Sequence, residues 1–132
     1  MDMKSPQSVK GGVRSPEVHD SAAKHVIGEA VYVDDLAEPV GTLHAYLGLS
    51  QAAHGEIEDI DLSQVSASPG VVCVLTADDV PGHNDISPTG KHDDPVLVDG
   101  KVEFYGQPVF AVVAETRDQA RRAAQKAKVS YK

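Results

Sequence analysis

At 132 residues the chain suits one domain with enough length to bury a core. Twelve Lys and Arg against twenty Asp and Glu give a net charge of −8, which repels a nucleic-acid backbone, and no basic stripe with interleaved aromatics offsets it. No apolar run reaches the roughly 18 residues that a membrane span needs, so neither nucleic acid nor membrane is an expected partner.

The opening MDMKSPQSVKGGVRSPE lacks the apolar stretch of a secretory signal. Its Ser, Pro, Gly and Lys content predicts a flexible lead-in over residues 1–18, ahead of a domain over 19–132. Asp20 is placed to cap a short helix ending at Gly28, with Ala22–Val26 and Ala23–Ile27 as i,i+4 pairs. AVYV (30–33) reads as a strand that runs out at Asp34 and Asp35. Paired carboxylates can do acid–base work when burial or a charged partner splits their pKa values. Here, beside Pro39 and Gly41, the simpler reading is a turn in which Asp folds back on the backbone.

TLHAYLGLS alternates Leu43, Ala45, Leu47 and Leu49 against Thr42, His44, Tyr46 and Gly48, which predicts a strand whose leucine face is buried. GEIEDIDL is a second strand, and the spacing of Ile57 and Ile60 predicts a bulge near Asp59. Asp61 with Gln64 resembles a capping box for a helical turn that Pro69-Gly70 ends. VVCVLT (71–76) is a continuous apolar strand. Its single cysteine, Cys73, cannot form an internal disulfide and reads as a small core hydrophobe, which fits a reducing cytoplasm.

TADDVPGHNDISPTGKHDDP is turn-rich, acidic and long for a compact domain, and such loops are often functional. His83, Asp85, His92, Asp93 and Asp94 are ordinary metal-ligand types, but their spacing fits no closed motif, and a solvated loop is the simpler reading. Gly90-Lys91 lacks the remaining residues of a phosphate loop. Asp99-Gly100, between VLV and KVEFY, predicts a two-residue hairpin.

VFAVVA (109–114) is the most apolar stretch. Burying its four large side chains gains roughly 1.5–3 kcal/mol each, and fixing its backbone costs roughly 1–2 kcal/mol per residue. The two nearly cancel, so the strand needs neighbours on both edges and belongs mid-sheet. Thr116 with Gln119 then predicts a capped helix carrying the stripe Ala120, Ala123, Ala124 and Ala127, with Asp118–Arg122 as a supporting pair. Arg117, Arg121, Arg122, Lys126 and Lys128 read as its solvated face. VSYK (129–132) completes a β-α-β order and predicts a piece of something longer. The residues by themselves form no visible active centre, so no catalytic, cofactor-binding or metal residue is assigned.

Three segments in combination, GEAVYVDDL, PGVVCVLTADDVPGHND and FYGQPVFAVVAETRDQARRAA, resemble the N-terminal part of the molybdenum-binding subunit in the xanthine dehydrogenase and aldehyde oxidase family. The resemblance runs from about Val13 to Lys132, and the HND-containing loop favours the xanthine dehydrogenase branch. QAAHGEI (51–57) departs from it, with no basic residue before Ala53-His54 and with glycine at position 55. The resemblance implies an α/β hammerhead fold, a mixed sheet with helices. It implies molybdopterin-bound molybdenum in the full subunit, with iron–sulfur clusters and FAD in the full enzyme, acting on hypoxanthine or xanthine in purine metabolism in the cytoplasm. The pterin loops and the glutamate base would lie in later segments, so this chain would bind no cofactor itself. Its partners would be the remainder of the molybdenum-binding subunit and the iron–sulfur/FAD subunit. Position carries over: Ile86, Ser87 and Pro88 would line or shape the substrate funnel. The competing reading is a stand-alone α/β binding or adaptor domain, and a third is an acidic metal-binding protein.

Overall fold

The computed structural model describes residues 19–132, and the lead-in expected over 1–18 lies outside the described residues. The chain divides into two compact units between Glu38 and Pro39. In the first, helix α1 spans Ala22–Ile27 and Gly28 closes it in the left-handed region. Ser21, not Asp20, is the cap residue, and its N–H is taken by His19 Nδ1 at 3.1 Å. The strand expected at AVYV does not form. Val31 and Val33 are exposed and have no strand partner among the described residues, and an unpaired strand is not stable in water. Val33–Asp35 is a 3-10 turn instead, closed by Asp35 Oδ2 accepting the Tyr32 N–H at 2.9 Å.

The second unit combines helices with two small sheets, in line with the α/β expectation, but all the strand pairs are antiparallel rather than mixed. The strands are β1 (His44–Leu49), β2 (Gly55–Asp61), β3 (Val71–Leu75), β4 (Lys101–Val102), β5 (Pro108–Ala114) and β6 (Lys128–Tyr131). One sheet has the order β1-β5-β3 and the other β4-β2-β6. β5 is therefore the central strand, as its composition demands. The β-α-β order at the end of the chain is present, with β5 and β6 in different sheets. The bulge expected near Asp59 is there, as a register shift between Ile57 and Asp59 against β6.

Helix α3 (Arg117–Ala124) begins at Thr116, whose Oγ1 accepts the Gln119 N–H, and Asp118 pairs with both Arg121 and Arg122. Its small side chains Ala120, Ala123 and Ala124 are buried against Phe110, Val112 and Ala114 of β5, so the backbone of the helix sits close to the sheet. The short helix α2 (Ser63–Ser66) adds Val65 to the same core. Leu62, not Asp61, is its cap residue; Asp61 stands one position earlier and accepts the N–H and hydroxyl of Ser63.

Three expectations are reversed by packing. The leucine face of β1 is open, with Leu47 and Leu49 about half exposed, while Gly48 is buried beneath Phe110. The helix covers the opposite face of this sheet. Cys73 is likewise exposed, because β3 is an edge strand with only one covered side. The Asp99-Gly100 hairpin also does not form. Lys101 and Val102 pair with Gly55 and Glu56 of β2, whereas the Val98 N–H donates to Pro108 at 2.8 Å. The two arms of the turn are claimed by different partners. Gly55, the departure noted in QAAHGEI, has a local cause: a Cβ there would stand 2.7 Å from the Lys132 carbonyl oxygen.

Candidate functional site

The long loop between β3 and β4 is ordered by its own polar side chains. Asn84 clamps its base, donating from Nδ2 to the Leu97 carbonyl at 2.7 Å and accepting the Leu97 N–H at 3.1 Å. Ser87 closes its tip. The hydroxyl donates to Asp85 Oδ1 at 2.6 Å and accepts the N–H groups of Asp93 and Asp94, both at 3.0 Å. One donor and two acceptors saturate a hydroxyl, so Ser87 is fully used in holding the loop together. His92 Nδ1 lies 2.8 Å from Asp85 Oδ2, and His92 itself has a φ of 56°. That left-handed conformation is unfavourable for a non-glycine residue. The ring contact with Asp85 helps to hold it.

Of the three residues expected at a substrate approach, Ser87 is thus an internal fastener, while Ile86 and Pro88 present their side chains to solvent. The HND tripeptide acquires a physical meaning, since Asn84 ties the loop to Leu97 and Asp85 gathers Ser87 and His92. The role of Asn84 was not legible beforehand, because its partner is thirteen residues away.

A concave feature runs between β1 and β6, with a volume of about 470 Å³. Tyr46, Gly48, Phe110, Ala127, Lys128 and Tyr131 are among its lining residues. This size falls within the range of small-molecule pockets. Glycine inside a strand often marks close approach of another group, and Gly48 was the one sequence signal of this groove.

The electrostatics of the described residues favour ionised acids. Asp61, Asp85 and Glu103 all have carboxyl pKa values below the ordinary range, owing first to Ser63, Ser87 and Lys101, respectively. A general acid needs the opposite displacement. Among the described residues, no three His, Cys, Asp or Glu side chains group closely enough to hold a metal ion. Asp35 is a capping group, and Asp34 has no part in that cap.

The Asp85 interaction has a testable sign. Its folded pKa is depressed, mainly by the Ser87 hydroxyl, so its contribution to loop order is present above the unfolded value of about 3.9 and disappears as pH falls through the folded value. Amide exchange, corrected for its intrinsic pH dependence, should show Asp93 and Asp94 losing protection in this acidic window. Asp85→Asn should remove that pH dependence, and an unchanged profile in the variant would exclude Asp85 as its source.

Residues 27–132 match the family model described as "Aldehyde oxidase and xanthine dehydrogenase, a/b hammerhead domain". The chain is 45% identical to aldehyde oxidase 2 of Rattus norvegicus over 96% of its own length and 9% of that protein. It is also 45% identical to xanthine dehydrogenase of Oryza sativa subsp. japonica, over 90% of its length and 9% of that protein. Among solved structures, the aldehyde oxidoreductase from Desulfovibrio gigas superposes with a TM-score of 0.73 at 38% identity, covering 84% of this chain and 13% of that one. The CO dehydrogenase from Oligotropha carboxidovorans gives a TM-score of 0.76 at 35% identity, covering 88% of this chain and 15% of that one. The chain thus spans about a tenth of the curated relatives it matches.

Proposed function

Because the chain belongs to the aldehyde oxidase and xanthine dehydrogenase a/b hammerhead domain family, we propose that it is a scaffold segment of a molybdenum hydroxylase of the xanthine dehydrogenase type, which helps to enclose a purine-hydroxylating centre. In such an enzyme the molybdopterin-bound molybdenum supplies the hydroxylation chemistry. We assign none of the described residues to holding that group, since no buried side-chain nitrogen or oxygen lacks a partner and no cluster of ligand-type side chains is present among them. The partners in this reading are the remainder of the molybdenum-binding subunit and an iron–sulfur/FAD subunit, and the compartment is the cytoplasm.

The observation that carries the proposal is the construction of the loop at 83–97. Asn84, Asp85 and Ser87 spend their hydrogen-bonding capacity internally, which fixes the backbone while Ile86 projects its side chain outward, 60% exposed. A rigid loop with an outward apolar residue can shape an approach path without touching the reacting atoms. Its expected role is selection by size and shape.

The test is a full-length enzyme in which residues 86–92 are replaced by a short glycine linker. The ratio of kcat/KM for xanthine to that for a bulkier purine should shift by about tenfold, a typical effect of a shape-selecting contact. Identical ratios in the variant and the parent would end the funnel reading.

A further inference from the structure

The β1-β5-β3 sheet has one covered face and one open one. In-register partners share a face, and neighbours along a strand alternate. Phe110, Val112 and Ala114 belong to the helix-covered core, together with Val71 and Val74 of β3. Ala111 and Val113 therefore point the other way. The pairings then define two complete rows across the open face: Ala45, Val113 and Cys73 in one, and Leu47, Ala111 and Leu75 in the next. All six side chains are apolar. Leu47 is 46% exposed, Leu75 is 37% exposed, and Ala45 and Cys73 are exposed, while on the central strand Val113 is half-buried and Ala111, between the two leucines, is 8% exposed. Leu43, just before β1 and in phase with Ala45 and Leu47, is also open.

The sequence of β1 alternates as a strand does when its leucine face is buried, yet within this chain that face is not buried. Contiguous apolar surface of this kind marks an interaction site. We propose that the open face of the β1-β5-β3 sheet is the docking surface for the rest of the parent polypeptide, which meets it with an uncharged, apolar surface of its own. This rests on reading the chain as one domain of a larger hydroxylase, and it adds which face is buried and by what chemistry.

Two observations select this occupant. The matched relatives and solved chains are far longer than the match, which covers 9% of the former and 13–15% of the latter, so most of each lies outside it and is available to pack here. A second copy of this chain is disfavoured by a net charge of −8 on each molecule, which opposes self-association. The six side chains of the two rows carry no charge that could offset this repulsion.

Cys73 is a native reporter in the first row. Its modification by a maleimide, located by peptide mass mapping, should be fast in the 132-residue chain with its core amides still protected from exchange. In the full enzyme containing this chain it should be slower by about a hundredfold or more, since a packed surface must open before the thiol reacts. Equal rates in the two forms overturn the proposal. Slow modification in the 132-residue chain with a dimer in sedimentation assigns the face to a second copy and overturns it equally. A protected Cys73 alongside unchanged substrate ratios in the loop variant would defeat the funnel reading alone. A reactive Cys73 with altered ratios would defeat the docking surface alone.

Discussion

Replacing Gly48 by valine is expected to destabilise the fold by about 3–5 kcal/mol, the range found for truncating a buried phenylalanine. Gly48 stands opposite Phe110 across the β1–β5 pair, and a Cβ built on it would overlap three atoms of the Phe110 ring. That ring is only 2% exposed and packs in the core cluster with Val112 and the helix alanines, so it can move only toward the groove it lines and loses those contacts when it does. Either the ring leaves its site or β1 separates from β5. Both outcomes forfeit the contacts that a fully buried aromatic ring makes. Denaturant unfolding of the chain gives the measurement. In a double-mutant cycle, Phe110→Ala should cost much less in the Gly48→Val background than in the parent, because the two changes remove the same packing. A loss below about 1 kcal/mol for Gly48→Val would show that the ring steps aside freely.

Asn84→Ala carries the second-largest expected effect. Leu97 is 4% exposed, and both of its backbone polar groups are satisfied by the Asn84 side chain. Removing that side chain orphans a buried N–H and a buried C=O together. Each orphaned group costs about 1–3 kcal/mol, so the loop base should lose at least about 2 kcal/mol of stability against local opening. Exchange of the Leu97 amide should accelerate about thirtyfold, which is that free energy expressed as an equilibrium constant. Asn84→Asp keeps the acceptor for the Leu97 N–H but sets a carboxylate against the carbonyl, and it should fall between parent and alanine. Global unfolding should change less than local exchange if the loop opens as a separate unit. Unchanged exchange at Leu97 in Asn84→Ala would mean that water replaces the side chain at no cost.

Several elements could be derived from the residues because their causes are local. The cap of α3 lies within Thr116 to Gln119, and its alanine stripe needs only helical periodicity. The bulge beside Asp59 follows from the spacing of two isoleucines. The central place of β5 follows from its having apolar residues at every position, which only a strand with neighbours on both edges can use. The family, too, was legible in three segments whose order and content are independent of any coordinate.

Other features depended on partners that are distant in the chain. AVYV has the composition of a strand but finds no strand to pair with among the described residues, and Asp99-Gly100 has the composition of a hairpin whose arms are drawn to β2 and to the start of β5. The groove between β1 and β6 and the clamp from Asn84 to Leu97 bring together residues whose separation hides them. Alternation in β1 specified that its leucines share a face, and it could not say which face the helix would cover. Side-chain periodicity is set by bond geometry within a few residues, whereas the covering of a face is set by whichever long-range packing buries the most apolar surface. In this chain helix α3 settled that competition by packing over Phe110 and Gly48, which left the leucines and Cys73 facing outward.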